Sequence, residues 1–353
     1  NALAVLDGDG RPVAVYDKHH LVPFGEYIPF ASLVARLGIP ALSHEECLVG
    51  LMARGATMFP SALAYGATFD PDLVERVARA IGHEARSIGC HQGLAPVLDV
   101  SRDVRWGRTG ETFGEDPYLI GELGAALIRG YQGKGLDDPT AVGATANHYA
   151  RYSETQGGRD ASEADISRRK LRSYFLPPFE RAARAGAMMF MTGYQSMDGV
   201  PSTASKWLLR EVLKDEWGFP GVLVTDWDNV GRLVHEQKVA ATYADAATMA
   251  IRAGNDLIMT TPKFYEGAIE AVKSGQLKES EIDEPLKRLL ALKFRMGLFE
   301  NPRRPDLVRA AAEVARPDHR AAVLDAARQT LVLLQNDGLL PLDPAKVKTI
   351  AVV

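Results

Sequence analysis

Short apolar runs that end on polar residues recur along this chain, with amphipathic helices between them. The clearest are residues 93–100 (GLAPVLDV), 141–149 (AVGATANHY), 187–194 (AMMFMTGY) and 221–227 (GVLVTDW), with a further strand at 38–42 and another at 255–259. Strands that alternate with helices at intervals of roughly 30–50 residues predict a parallel sheet wrapped by helices. The helices have their own signals. Asp70-Pro71 opens one whose apolar stripe is Leu73, Val74, Val77, Ile81, Ala85 and Ile88, with Gly89 ending it. Ser205 caps another, Pro177-Pro178 bends a third predicted over about 162–185, and three more fall at 243–253, 263–274 and 280–296. No GxGxxG or GxxxxGK[ST] follows any strand, so an open nucleotide-binding sheet is not supported. Polar residues at strand ends are what a (β/α)8 TIM-like barrel requires. About six strands can be counted, two short of a full barrel, before a final apolar run at 346–353 that looks like a strand just begun.

The run 221–230 (GVLVTDWDNV) carries the sharpest chemistry. Val222 to Thr225 reads as a buried strand that stops on Asp226-Trp227. A carboxylate there is placed to act as nucleophile, general base or metal ligand, or simply to cap the next helix. The loop after 93–100 gathers Arg102, Arg105 and Arg108 with Glu111, Glu115 and the indole of Trp106. Guanidinium forks suit sugar hydroxyls and an indole face suits a ring's C–H groups, although a solvated salt-bridge network fits the same charges.

Composition narrows the partners. A net charge of −4 offers no broad basic surface for nucleic acid, and no apolar run nears the roughly 20 residues a membrane span needs. Cys47 and Cys90 lie far apart and read as lone buried thiols. The eight histidines form no HExxH and no close cluster; the adjacent His19 and His20 point to opposite faces of a strand, so neither a metal nor a cofactor is expected. The chain of 353 residues opens at Asn1 without a signal peptide, and a fragment at both ends is expected.

Two family resemblances add to this reading. Residues 2–6 and 12–16 read as a hairpin, and 17–30 (DKHHLVPFGEYIPF) closely resembles the nitrilase-like domain of apolipoprotein N-acyltransferases, matching Lys18 and Glu26 to its catalytic lysine and glutamate. Residues from about 37 to 345 look like glycoside hydrolase family 3, the family of many β-glucosidases and β-xylosidases. The matching pieces are GATMFPSALAYGATFDPDLV, APVLDVSRDVRWGRTGETFGEDPYL, the NHY stretch, DGVPSTASKWLLREVLKDEWGFPGVLVTDW and ARQTLVLLQNDGLLPL. The division implied is an acyltransferase-like segment at 1–36, a barrel domain at 37–318, and at 319–353 a linker helix and the opening strands of a truncated α/β sandwich.

The family 3 resemblance also implies roles. Asp226 matches the nucleophile, Trp227 a residue lining the sugar subsite, and Arg108 the arginine that binds hydroxyls. His148 matches the histidine of a Lys-His pair, Tyr194 a tyrosine near the nucleophile, and Glu46 a carboxylate, usually Asp, that grips hydroxyls. Asn147 stands where the family has lysine, which implies weaker substrate binding. The family's acid/base is a glutamate on the second domain, expected to be absent here. In the loop 150–165, Glu154, Asp160 and Glu163 read as solvated charges, with Asp160 alone worth testing. The altered start predicts a gapped barrel or a loosely docked N-terminus. The expected activity is retaining hydrolysis of terminal non-reducing β-D-glycosidic bonds, on a small-molecule or oligosaccharide β-glycoside. A sugar-binding module without turnover, a β-xylosidase and an acyltransferase remnant are the rivals. Sugar identity, oligomeric state and compartment are not readable.

Overall fold

The computed structural model describes residues 38–351 in full and, before them, the backbone of 2–6 and 12–17. That backbone forms the expected hairpin, β1 (Ala2–Leu6) pairing antiparallel with β2 (Pro12–Asp17). The main sheet is made of β3 (His44–Glu45), β4 (Gln92–Gly93), β5 (Gly143–Tyr149) and β6 (Met189–Thr192). After a small antiparallel hairpin of β7 (Ser196–Met197) and β8 (Val200–Pro201), it is completed by β9 (Val222–Thr225). Its order is β3-β4-β5-β6-β9, with all neighbours parallel. Leu257 extends the arc beyond β9: it bridges Val224, and its carbonyl accepts the Thr225 N–H at 3.0 Å. The fold is α/β, a parallel half-barrel whose strands follow one another in sequence order.

Period-two alternation splits the core into two layers. Met189, Met191, Val222 and Val224 face inward and pack with Leu94, Met259, Leu292 and Met296. Phe190 and Leu223 face outward, into the helical layer. That layer is built on α1 (Pro71–Ser87) and α2 (Pro117–Gln132). Asp70 caps α1 by accepting the Leu73 N–H at 3.0 Å, and Asp116 caps α2 in the same way, at 2.8 Å from Leu119. Gly130 lets the two helices touch, since a Cβ there would fall 2.5 Å from that of Ala78. Burying such apolar faces contributes about 25 cal/mol per Å².

Several predicted elements contract. The strand expected at 93–100 is regular only at β4, because Pro96 brings no N–H to the ladder, although Val97 still bridges Asn147. The strand expected at 38–42 is displaced to His44–Glu45, past a left-handed Gly38. The third helix is helical only from Arg168, behind the Ser167 cap. The predicted C-terminal strand is not formed: the described residues of 346–351 have no partner strand to supply the hydrogen bonds that a lone strand lacks. The helix Pro317–Gln329 spans the boundary drawn at 318/319. Among the described residues, no helix is long and apolar enough to cross a membrane.

Candidate active site

Glu46 directly follows β3, His148 lies near the end of β5, Tyr194 sits two residues past β6, and Asp226 directly follows β9. Parallel strands bring their C-terminal ends to one edge, so four separate stretches of sequence deliver polar groups to one place. The strand before Asp226 forms where its β-branched residues predict it, with all four residues buried on both faces.

Asp226 is 3% exposed. Its Oδ1 accepts the Trp227 N–H at 2.7 Å, while the buried Oδ2 has no hydrogen-bond partner. The helix-cap alternative does not hold. The next helix, Asn229–His235, has Asp228 at its N-cap, and the Asn229 N–H reaches the Asp226 backbone carbonyl, at 3.2 Å, not the carboxylate.

His148 places Nε2 3.7 Å from Asp226 Oδ2. Its Nδ1 lies 2.9 Å from Oδ2 of Asp99, a fully buried carboxylate. The local register turns the imidazole this way. Between the pairs Ala146 with Phe190 and Tyr149 with Thr192, β5 carries one residue more than β6. An extra residue breaks alternation and re-aims a side chain, as bulges near active sites do.

An aromatic wall closes the site. Tyr152 meets Trp106, His148 and Tyr194 edge-on, with ring centroids 5.4, 4.9 and 5.6 Å away. Arg108 lies over the Tyr152 ring at 5.2 Å and holds Glu111 through a two-pronged ion pair of 2.9 and 2.7 Å. Trp227 packs on this cluster and meets His44 edge-on at 6.4 Å. Burial lowers the His44 imidazole to about 4. Burial and the Asp226 carboxylate together push the Tyr194 phenol well up, leaving it a neutral hydrogen-bond donor. The Glu46 carboxyl is raised by desolvation and then by Asp226, against the pull of Arg108 and His148. Because the residue is exposed, water screens that shift.

Asn147 departs from this convergence. Its amide donates to the Leu94 carbonyl at 3.0 Å, inside the sheet, and its buried Oδ1 has no partner. The loop carboxylates have partners of their own, one of them in the aromatic wall. Glu154 pairs with Lys170, Glu163 accepts from Ser196, and Asp160 accepts the Tyr152 phenol. Lys18 and Glu26 lie outside the described residues. Sequence reasoning gave no role to Asp99 or Tyr152. The signal for Asp99 was present, since the run GLAPVLDV also ends near an aspartate. Among the described residues, no group of three His, Cys, Asp or Glu side chains is arranged to hold a metal ion.

Comparison with known proteins places this geometry. The family model "Glycosyl hydrolase family 3 N terminal domain" matches residues 10–292. The match takes in much of the stretch likened to an acyltransferase, and that likeness gains no support. A beta-xylosidase of Formosa agariphila is 37% identical over 336 residues, covering 90% of this chain and 46% of the relative. The chain therefore spans about half the length of such curated relatives. Among solved structures, a β-glucosidase involved in saponin metabolism from intestinal bacteria is 53% identical with a TM-score of 0.86, covering 89% of this chain and 42% of its own. A β-glucosidase from Listeria innocua, solved in complex with glucose, is 36% identical with a TM-score of 0.82, covering 87% of this chain and 42% of its own.

Proposed function

The chain belongs to the glycosyl hydrolase family 3 N-terminal domain family, and from that premise we propose that its sheet edge is the nucleophile-bearing half of a retaining β-glycosidase. The substrate is a terminal, non-reducing β-D-glucoside, and Asp226 is the nucleophile. Glu46, Arg108, His148, Tyr194 and Trp227 bind the sugar, and Asn147 supports them from the neighbouring position on β5. The catalytic domain is 37–318.

One observation carries the reading: Asp226 fixes one oxygen on the Trp227 N–H and leaves the other buried and without a hydrogen bond. A nucleophile needs such a held but unengaged oxygen. In the first step Oδ2 bonds to the anomeric carbon as the glycosidic C–O bond breaks, and the leaving oxygen takes a proton from an acid. Water then hydrolyses the glycosyl ester. Retaining enzymes hold their two carboxyl groups about 5–5.5 Å apart.

A 2-deoxy-2-fluoro-β-D-glucosyl fluoride tests the first step alone, because fluoride leaves without an acid. The expected result is a covalent adduct on the peptide containing Asp226, absent from Asp226→Ala. Intact protein without adduct after prolonged incubation overturns the proposal. The kinship with the Formosa agariphila beta-xylosidase keeps a β-xyloside as the second reading, and faster labelling by the corresponding fluoroxyloside would select it.

A further inference from the structure

We propose that Asp99 is the positioning residue of this site: it holds the His148 ring with a proton on Nδ1, so that Nε2 is aimed at Asp226 and at a sugar hydroxyl between them. Asp99 has no exposed surface. One of its oxygens, Oδ2, takes both the backbone N–H of His148, at 3.0 Å, and the ring Nδ1, at 2.9 Å. The other, Oδ1, takes the Tyr152 N–H at 3.0 Å. An ionised carboxylate only accepts, so the ring atom facing it carries the hydrogen. Gripping the main chain and the ring of one residue with a single oxygen fixes the side-chain torsion as well as the tautomer. The Tyr152 ring, held by the same carboxylate through its own N–H, stands edge-on to the imidazole at 4.9 Å and limits its rotation.

The consequence lies on the far side of the ring. Nε2 and the partnerless Oδ2 of Asp226 are 3.7 Å apart, too far for a direct hydrogen bond and near enough for one hydroxyl oxygen to touch both. With Nδ1 committed to Asp99, Nε2 is the ring atom left to meet that hydroxyl. A hydroxyl hydrogen-bonded there is oriented beside the nucleophile. In other carboxylate–histidine pairs, too, the carboxylate sets tautomer and orientation without itself becoming protonated.

The catalytic part of this proposal rests on the glycosidase reading; the tautomer does not, and the experiment separates them. In the 15N-labelled chain, with His148 assigned by its loss in His148→Gln, long-range 1H–15N spectra above the ring's titration should show a protonated Nδ1 and a pyridine-like Nε2. In Asp99→Asn the single amide oxygen must leave either the His148 or the Tyr152 donors unserved, so the grip on the ring should loosen. The second-order efficiency of labelling by the fluoroglucosyl fluoride should fall roughly 10–100-fold. A wild-type neutral ring protonated on Nε2 overturns the proposal, and so does an Asp99→Asn variant that keeps both the wild-type tautomer and its labelling rate. If Asp99→Asn does not fold, the wild-type spectrum still decides. If the wild type takes no label at all, the glycosidase reading fails and the spectrum alone judges Asp99.

Discussion

Asn147 stands beside the imidazole yet commits its amide to the Leu94 carbonyl, inside the sheet. An ammonium at that position brings charged donors, and a charge-assisted hydrogen bond exceeds a neutral one by about 1 kcal/mol. Asn147→Lys should therefore tighten glucose binding roughly fivefold, measured by calorimetry. Unchanged or weaker binding would mean that the side chain does not reach the sugar. The residue scale is also where the sequence was least complete. Asp226 stood out because it ends an apolar run, whereas His148 and Tyr194 were singled out by the family resemblance. Asp99 ends one too, but a buried aspartate and a solvated one are the same letter, and only its three donors reveal the difference. Tyr152 lay in a polar loop with no periodicity to say that its ring turns inward.

Elements were legible in proportion to how much of their order is local. The predicted bounds of β9 coincide with the observed ones, since glycine, proline and β-branched residues all act within its own stretch. β4 was overextended because apolar composition does not count ladder hydrogen bonds. Between elements, Lys214 of the helix Trp207–Glu216 meets Asp256, just before the sixth strand position, at 2.7 Å with both side chains 1% exposed. Burial lowers the lysine and raises the aspartate, each toward its neutral form. Asp256 also accepts the Leu223 N–H at 2.9 Å, which ties that pair to β9. Lys214→Met should cost about 3–5 kcal/mol in urea unfolding by stranding a buried carboxylate. Adding Asp256→Asn should recover part of that loss, and a strictly additive double variant would show that the pair is not coupled.

At the scale of the molecule, one carboxylate fastens the C-terminal helix to the half-barrel. Glu84 of α1 is fully buried and accepts from Thr57 Oγ1 at 2.6 Å, the Thr57 and Ala315 N–H groups at 2.9 and 3.0 Å, and the His319 ring at 2.8 Å. Burial pushes its carboxyl up, but these hydrogen bonds outweigh it and hold the group below its ordinary value. A depressed folded-state value means that the contribution is complete above the unfolded value, near 4.3, and fades as pH falls through the folded one. Glu84→Gln should thus lower stability at pH 7 by roughly 1–3 kcal/mol. Its deficit against wild type should shrink in thermal melts as the pH drops below about 4. A deficit independent of pH would show that the carboxylate's charge is not what anchors the helix. No local pattern predicted this anchor, because its partners are 27 and 235 residues away in sequence.

The supernumerary residue between Ala146 and Tyr149 makes chain length itself part of the chemistry. Toward β6 it is surplus, but on the other side of β5 Asn147 donates to the Pro96 carbonyl and accepts the Leu98 N–H, so the same insertion that re-aims the imidazole is stitched into the sheet. A one-codon deletion there would disturb the sheet and the aim of the imidazole together.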